Sequence, residues 1–210
     1  MERGSVERRV WSVERGPKGF GARAGSGGRG EDIGTAHHTF LQHVSLEQAG
    51  TVAELKKEAR RLESRKALTP GEVALLDFDS VAAFWSSDLG LSIRARSQFV
   101  QRELPFTMRL SSQELLAWTG ETAVKNLEEE FVVVQGVADL VVLMPEELWL
   151  LDFKTDRVQP EEISERAKSY EPQIKLYAAA LSRIYRRPVA KAWLYFLSCR
   201  EAVAVGIFDF

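Results

Sequence analysis

The chain has 210 residues, 45% of them hydrophobic, with a formal net charge of −2 at pH 7. That is enough apolar material for one domain with a core; no apolar run is long enough to span a bilayer, and the near-neutral balance lacks the basic excess of a dedicated duplex-binding module. Cys199 is the only cysteine, so a disulfide framework and a cysteine-ligated metal or iron–sulfur cluster within this chain are excluded. The start carries no signal-peptide pattern, which makes a cytoplasmic location the expectation.

Residues 1–30 are rich in Arg and Gly, and Val10, Trp11 and Phe20 are too sparse to build a core. This stretch reads as a disordered extension, with the folded domain at 31–210. An arginine-rich arm for nucleic acid is a second reading, and a severed or mis-started piece of a longer protein a third. A helix is predicted over 33–44, with Ile33, Ala36, Phe40 and Val44 near one face. It carries His37 and His38. A charged helix follows over 51–65, with Val52, Leu55, Ala59 and Leu62 as its stripe. Thr69-Pro70 reads as an N-cap and first helical proline, opening a helix through Val73, Leu76 and Val81 to Trp85. Asp77 and Asp79 on it read as surface acids. Asp88 to Gly90 reads as a short helix or turn. Residues 98–109 alternate as a strand, with Glu103 either an exposed acid paired with Arg102 or a strand glutamate near a site. Residues 111–120 read as a loop or short helical turn.

The most informative stretch comes next. Residues 132–144 are β-branched and apolar, broken by Gln135, Gly136 and Asp139; Pro145-Glu146-Glu147 is a turn signal; 148–153 is apolar again around Asp152. Acids inside buried strands are costly unless a cation compensates them. Asp152 and Lys154 are two apart and leave the same strand face. A hairpin lets Asp139 lie beside Asp152. Two carboxylates and a lysine at a sheet edge suit Mg²⁺ and a water nucleophile. A long helix is predicted over 161–185, with Gln173 and Tyr177 sharing a face. Pro172 should bend or interrupt it, because it removes a backbone donor. Strands over 188–198 and 202–210 complete an α/β fold with a mixed sheet flanked by helices.

Five elements in this order carry a resemblance. G-x-x-D ending at Asp139 and D-x-K from Asp152 to Lys154 resemble the PD-(D/E)xK nuclease superfamily. Gly34-Thr35-Ala36-His37-His38 resembles the G-T-x-x-H motif of its RecB-like and AddA-like branch. Arg102-Glu103-Leu104-Pro105-Phe106 resembles the E-x-P-F strand of that branch, and Tyr170-x-x-Gln173-x-x-x-Tyr177 its Q-x-x-x-Y helix; Thr155-Asp156-Arg157, after the lysine, correspond to positions beside the site in relatives. Ala138 stands where many members have proline. The resemblance covers residues 32–205 and is greatest to the C-terminal nuclease domain of AddA-type helicase–nucleases. It implies a restriction-endonuclease-like core and DNA phosphodiester hydrolysis of exonuclease type, with one or two Mg²⁺ ions (Mn²⁺ possible) and no iron–sulfur cluster. Carried over residue by residue, it makes His38, Asp139, Asp152 and the backbone carbonyl of Phe153 the metal ligands. Lys154 holds or deprotonates the attacking water, Gln173 and Tyr177 orient Lys154 or the phosphate, and Glu103 and Thr155 are secondary. It prefers His38 over His37 because His38 stands four residues after Gly34. It further implies single-stranded DNA as substrate, a helicase on the same or another chain, an AddB-like partner, and double-strand break repair and recombination as the setting.

Two rivals compete with that reading. One is a catalytically inactive nuclease-fold scaffold or DNA-binding module; the presence of both acids and the lysine discriminates against it. The other is a stand-alone enzyme on RNA or duplex. The chain has no Walker A motif, so the motor of any helicase lies outside it.

Overall fold

The computed structural model describes residues 9–12, 28–111, 114 and 131–207. The chain divides into two compact units, one of Met1–Gly21 with Pro105–Val137, the other of Ala22–Leu104 with Ala138–Phe210. In the smaller unit β1 (Arg9–Ser12) runs parallel to the first part of β3 (Phe131–Leu143), from Arg9↔Val132 to Ser12↔Gln135. β2 (Val100–Ser111) also pairs with β3. Beyond Pro105 its Phe106, Met108 and Leu110 are buried and alternate with exposed Thr107 and Arg109, the period of a strand with one covered face. The Arg109 guanidinium lies 3.8 Å from the Phe131 ring centroid. β1 falls inside the stretch read from sequence as a disordered extension, and so does the start of α1 at Gly28. Most of that stretch, and most of 111–120, lies outside the described residues.

The larger unit opens with five helices: α1 (Gly28–His43), α2 (Val52–Ser64), α3 (Pro70–Ala74), α4 (Phe78–Ser86) and α5 (Asp88–Arg94). Thr51 caps α2 by accepting the Glu54 N–H, and Leu55, Ala59 and Leu62 form its buried stripe. Thr69 and Glu72 form a capping box on α3. The apolar spacing predicts one helix from Pro70 to Trp85, yet the chain breaks at 75–77. Asp77 is the reason: its carboxylate accepts the Ser80 N–H at 3.0 Å and the Ser80 hydroxyl at 2.7 Å, capping α4. Asp and Ser compete with the backbone in this way wherever a helix can restart. Between α4 and α5, a Cβ on Gly90 would come within 2.1 Å of the Phe84 carbonyl oxygen, so only glycine allows that junction.

The sheet of this unit is mixed. The end of β3 pairs antiparallel with β4 (Leu148–Lys154), from Leu140↔Leu151 to Leu143↔Leu148. β4 pairs in parallel with β5 (Val189–Phe196), and β5 antiparallel with β6 (Glu201–Ala204). The parallel pair needs a crossover, and α6 (Ile163–Tyr185) supplies it. Every residue of β4 is buried. Trp149, Leu151 and Phe153 join the core cluster that α1, α2, α4 and α5 complete, and the Phe84 ring sits 4.9 Å from Phe153 and 4.6 Å from Tyr195. The alternate residues, Asp152 and Lys154 among them, leave the other face. α6 packs on β4 and β5 and buries Ile174, Tyr177, Ala178 and Leu181. It runs through Pro172 without interruption, contrary to the sequence expectation. Pro172 and Lys168 both lie on the outer side of the helix rather than in the core, so the missing donor costs least there.

Candidate functional site

Two adjacent histidines on α1 have different surroundings. His37, 3% exposed, has both ring nitrogens engaged: Nδ1 donates to the Ile33 carbonyl at 2.8 Å, and Nε2 accepts the Asp77 backbone N–H at 2.9 Å. It ties α1 to the restart at α4, and burial holds its pKa below the usual histidine value. His38 turns elsewhere. Its Nδ1 lies 3.4 Å from Asp139 Oδ1 and 3.6 Å from Glu103 Oε1.

Glu103 reaches this position through a break in strand geometry. Its φ is 52°, in the left-handed region that costs a non-glycine residue on the order of 1–2 kcal/mol. Neighbours on a regular strand point to opposite faces. Here both Arg102 and Glu103 reach α1: Arg102 Nη1 donates to the carbonyls of Leu41 and Val44 near the end of the helix, while Glu103 meets His38. The two side chains thus serve α1 at separate points, where the sequence left open a pairing of Glu103 with Arg102. His38, Glu103 and Asp139 bring one ligand atom each within 4.8 Å of one another.

The hairpin supplies the rest. The β3–β4 register runs one step past Leu140↔Leu151 to place Asp139 and Asp152 next in line. Asp139 Oδ2 accepts the Phe153 backbone N–H at 2.8 Å, which fixes the carboxylate against β4. Asp152 Oδ2 lies 2.7 Å from Lys154 Nζ, both side chains almost fully buried. Burial and then the Asp139 carboxylate push Asp152 up to about 6, against the pull of Lys154.

α6 closes over Lys154. Its Nζ donates to Gln173 Oε1 at 3.1 Å, and Gln173 Nε2 donates to the Tyr177 hydroxyl at 3.1 Å. The same Nζ sits 3.9 Å from the centroid of the Tyr170 ring. The Tyr170 hydroxyl donates to Asp156 Oδ2, which also accepts Arg166 Nε at 3.1 Å. Burial and then that hydrogen bond raise the Tyr170 phenol, so it stays a donor. The Asp156 carbonyl in turn accepts the Ser198 hydroxyl at 2.7 Å. Thr155 faces α1: a Cβ on Gly34 would lie 3.2 Å from Thr155 Oγ1, so the glycine at the head of the histidine motif admits the residue that follows Lys154.

The structure thus brings together His38, Glu103, Asp139, Asp152, Lys154, Gln173 and Tyr177. Phe153 contributes its N–H to Asp139 and its ring to the core. An imidazole with carboxylates fits a divalent cation of the Mg²⁺ or Mn²⁺ kind, which would offset the burial and the Asp139 charge that together raise Asp152. Sequence reasoning placed Tyr170 in the glutamine–tyrosine motif and Asp156 beside the site, but gave neither a role. Tyr170 stands three residues before Gln173, on the same helical face, and that spacing is the signal that finds it.

The chain matches the PD-(D/E)XK nuclease superfamily over residues 12–207. It is 34% identical over 164 residues to the A subunit of the ATP-dependent helicase/nuclease of Moorella thermoacetica, covering 78% of this chain and 11% of that protein. It is 31% identical over 182 residues to the protein of the same name from Listeria innocua, covering 84% and 14%. It therefore spans only about a seventh of the length of such relatives or less. The crystal structure of SSO0001 aligns over 85% of this chain and 78% of its own, at 14% identity and a TM-score of 0.38. Among the described residues no helix is long and apolar enough to cross a membrane.

Proposed function

Because the chain belongs to the PD-(D/E)XK nuclease superfamily, we propose that it hydrolyses DNA phosphodiester bonds with a divalent cation, as an exonuclease that prefers single strands. The observation that carries this reading is the Asp152–Lys154 pair at 2.7 Å, set beside the His38, Glu103 and Asp139 cluster. Asp139, Asp152 and His38 would hold the cation, with Glu103 beside them and the Phe153 carbonyl as a further oxygen ligand. When bound, the cation supplies Lewis acidity toward water and offsets charge gathering on the phosphate. With Asp152 engaged by the cation, Lys154 would turn the N–H it gives that carboxylate toward the attacking water as the new P–O bond forms. The proton released by the attacking water passes to solvent, and the old ester oxygen takes one up from solvent as its bond to phosphorus breaks. Gln173 and Tyr177 keep the ammonium of Lys154 on that heading.

The named relatives, A subunits of helicase/nucleases, support the reading of this chain as the nuclease part of an AddA/RecB-like helicase–nuclease; double-strand break repair and recombination is the setting we propose for it. A helicase, on the same or another chain, would feed it an unwound strand, with an AddB-like partner, in the cytoplasm. The test uses end-labelled single-stranded and blunt duplex DNA, with Mg²⁺ or Mn²⁺ and with EDTA. Cation-dependent cutting, faster on the single strand and lost in Asp152→Ala and Lys154→Ala, is expected. Cutting that survives EDTA, or that both variants retain within tenfold, refutes the reading.

A further inference from the structure

Lys154 is held from three sides, and the two hydrogen-bonding partners leave one side to an aromatic ring. An ammonium with three N–H groups has Asp152 Oδ2 at 2.7 Å and Gln173 Oε1 at 3.1 Å. The face of Tyr170 lies 3.9 Å from the same nitrogen. Tyr170 is 4% exposed and cannot swing out to solvent. Its ring is further pinned at the far end, where the hydroxyl bonds Asp156. Asp156 is itself fixed by Arg166 on α6 and, through its carbonyl, by Ser198 after β5. An ammonium over an aromatic face is attracted by the negative face of the ring quadrupole, and most strongly where water is excluded. The ring therefore restricts the directions in which the ammonium can turn.

We infer that Tyr170, braced by Asp156, is a positioning residue that holds the Lys154 ammonium between Asp152 and Gln173 through the face of its ring. The inference rests on the nuclease reading above for its consequence in catalysis, but not for the contact itself. Removing the ring leaves Lys154 its two hydrogen bonds and loosens its direction. The loss should fall on kcat, because the direction matters when charge gathers on the phosphate, and KM should change little.

The test keeps the ring's volume and varies its charge distribution. Tyr170→Phe keeps the face and loses only the brace to Asp156, so kcat should fall by no more than about threefold, since the face and not the hydroxyl meets Lys154. Mono-, di- and trifluorinated phenylalanine at the same position withdraw the quadrupole stepwise, and kcat should fall progressively, by about thirtyfold at the end of the series. KM and Tm should stay level. A packing role would leave kcat flat across the series or make it follow Tm, and either result overturns the inference. A second measurement needs no activity. The Lys154 ε-methylene protons, read by NMR on the metal-free chain, should be shifted upfield by the ring in the wild type and in Tyr170→Phe, and return to ordinary values in Tyr170→Leu. Absence of that upfield shift overturns the inference whatever the activity. The shift in a wild-type chain that cuts no DNA would leave the brace standing and remove the nuclease reading.

Discussion

Burial, and then the neighbouring Asp139 carboxylate, disfavour the charge of Asp152, and this sets a pH dependence. Asp152 has its folded pKa near 6, above the ordinary carboxylate value. Between about pH 4 and 6 the folded chain therefore binds a proton that the unfolded chain has released, and stability falls as pH rises through that window. The contribution is about 3 kcal/mol. Asp152→Asn should raise the Tm of the chain at pH 8 in EDTA and change it little at pH 4, where the acid is already protonated. A gain of equal size at both values would show that charge is not the cause. The two histidines separate just as sharply. His37→Ala removes a buried acceptor and donor that join α1 to α4. It should cost about 1–3 kcal/mol in urea unfolding without altering the Mn²⁺ concentration needed for cleavage. His38→Ala should raise that concentration and leave the unfolding midpoint nearly in place.

Glu103 shows how an element can be bent to serve one side chain. The left-handed residue in β2 turns two successive side chains toward α1, where a regular strand would send one away. Glu103→Gly should be more stable than Glu103→Ala by about 1 kcal/mol, because glycine adopts positive φ without strain. Both should lose cleavage, since neither has a carboxylate; equal stability of the two would mean that the left-handed turn at this position relaxes on substitution. The hairpin that carries Asp139, Asp152 and Lys154 was readable in the sequence, because apolar runs, a proline turn and the period of two all agree there. His38, Gln173 and Tyr177 came only through family resemblance, since histidine, glutamine and tyrosine on helices have many ordinary uses. The left-handed backbone at Glu103 was not readable: Arg-Glu-Leu-Pro contains no glycine to mark a positive φ. Nor was the break between α3 and α4, whose released N–H is taken by His37, forty residues earlier in the chain. The unbroken α6 depends on Pro172 lying away from the core, which periodicity alone left undecided.

For the molecule as a whole, the near-neutral charge limits how tightly nucleic acid can be held at a distance. DNA affinity should fall steeply with salt, as phosphate contacts do. The ratio of single-strand to blunt-duplex cutting, measured at one salt and one Mg²⁺ concentration, should stay above one; a ratio of one or less would point to a stand-alone duplex nuclease. β4 has a further consequence. It is buried along its whole length and is bonded on both sides, to β3 and to β5. Residues 148–151 cannot open without parting both ladders, and Asp152 and Lys154 continue that strand on the β5 ladder, with Phe153 between them bonded to Asp139, so these residues ride on the slowest-exchanging segment of their unit. Amide deuterium uptake at 150–153 should wait for complete unfolding, while the edge strand β6 exchanges far sooner. A sample heated briefly and cooled should then hold either fully competent or fully unfolded molecules, with no folded but inactive fraction between them.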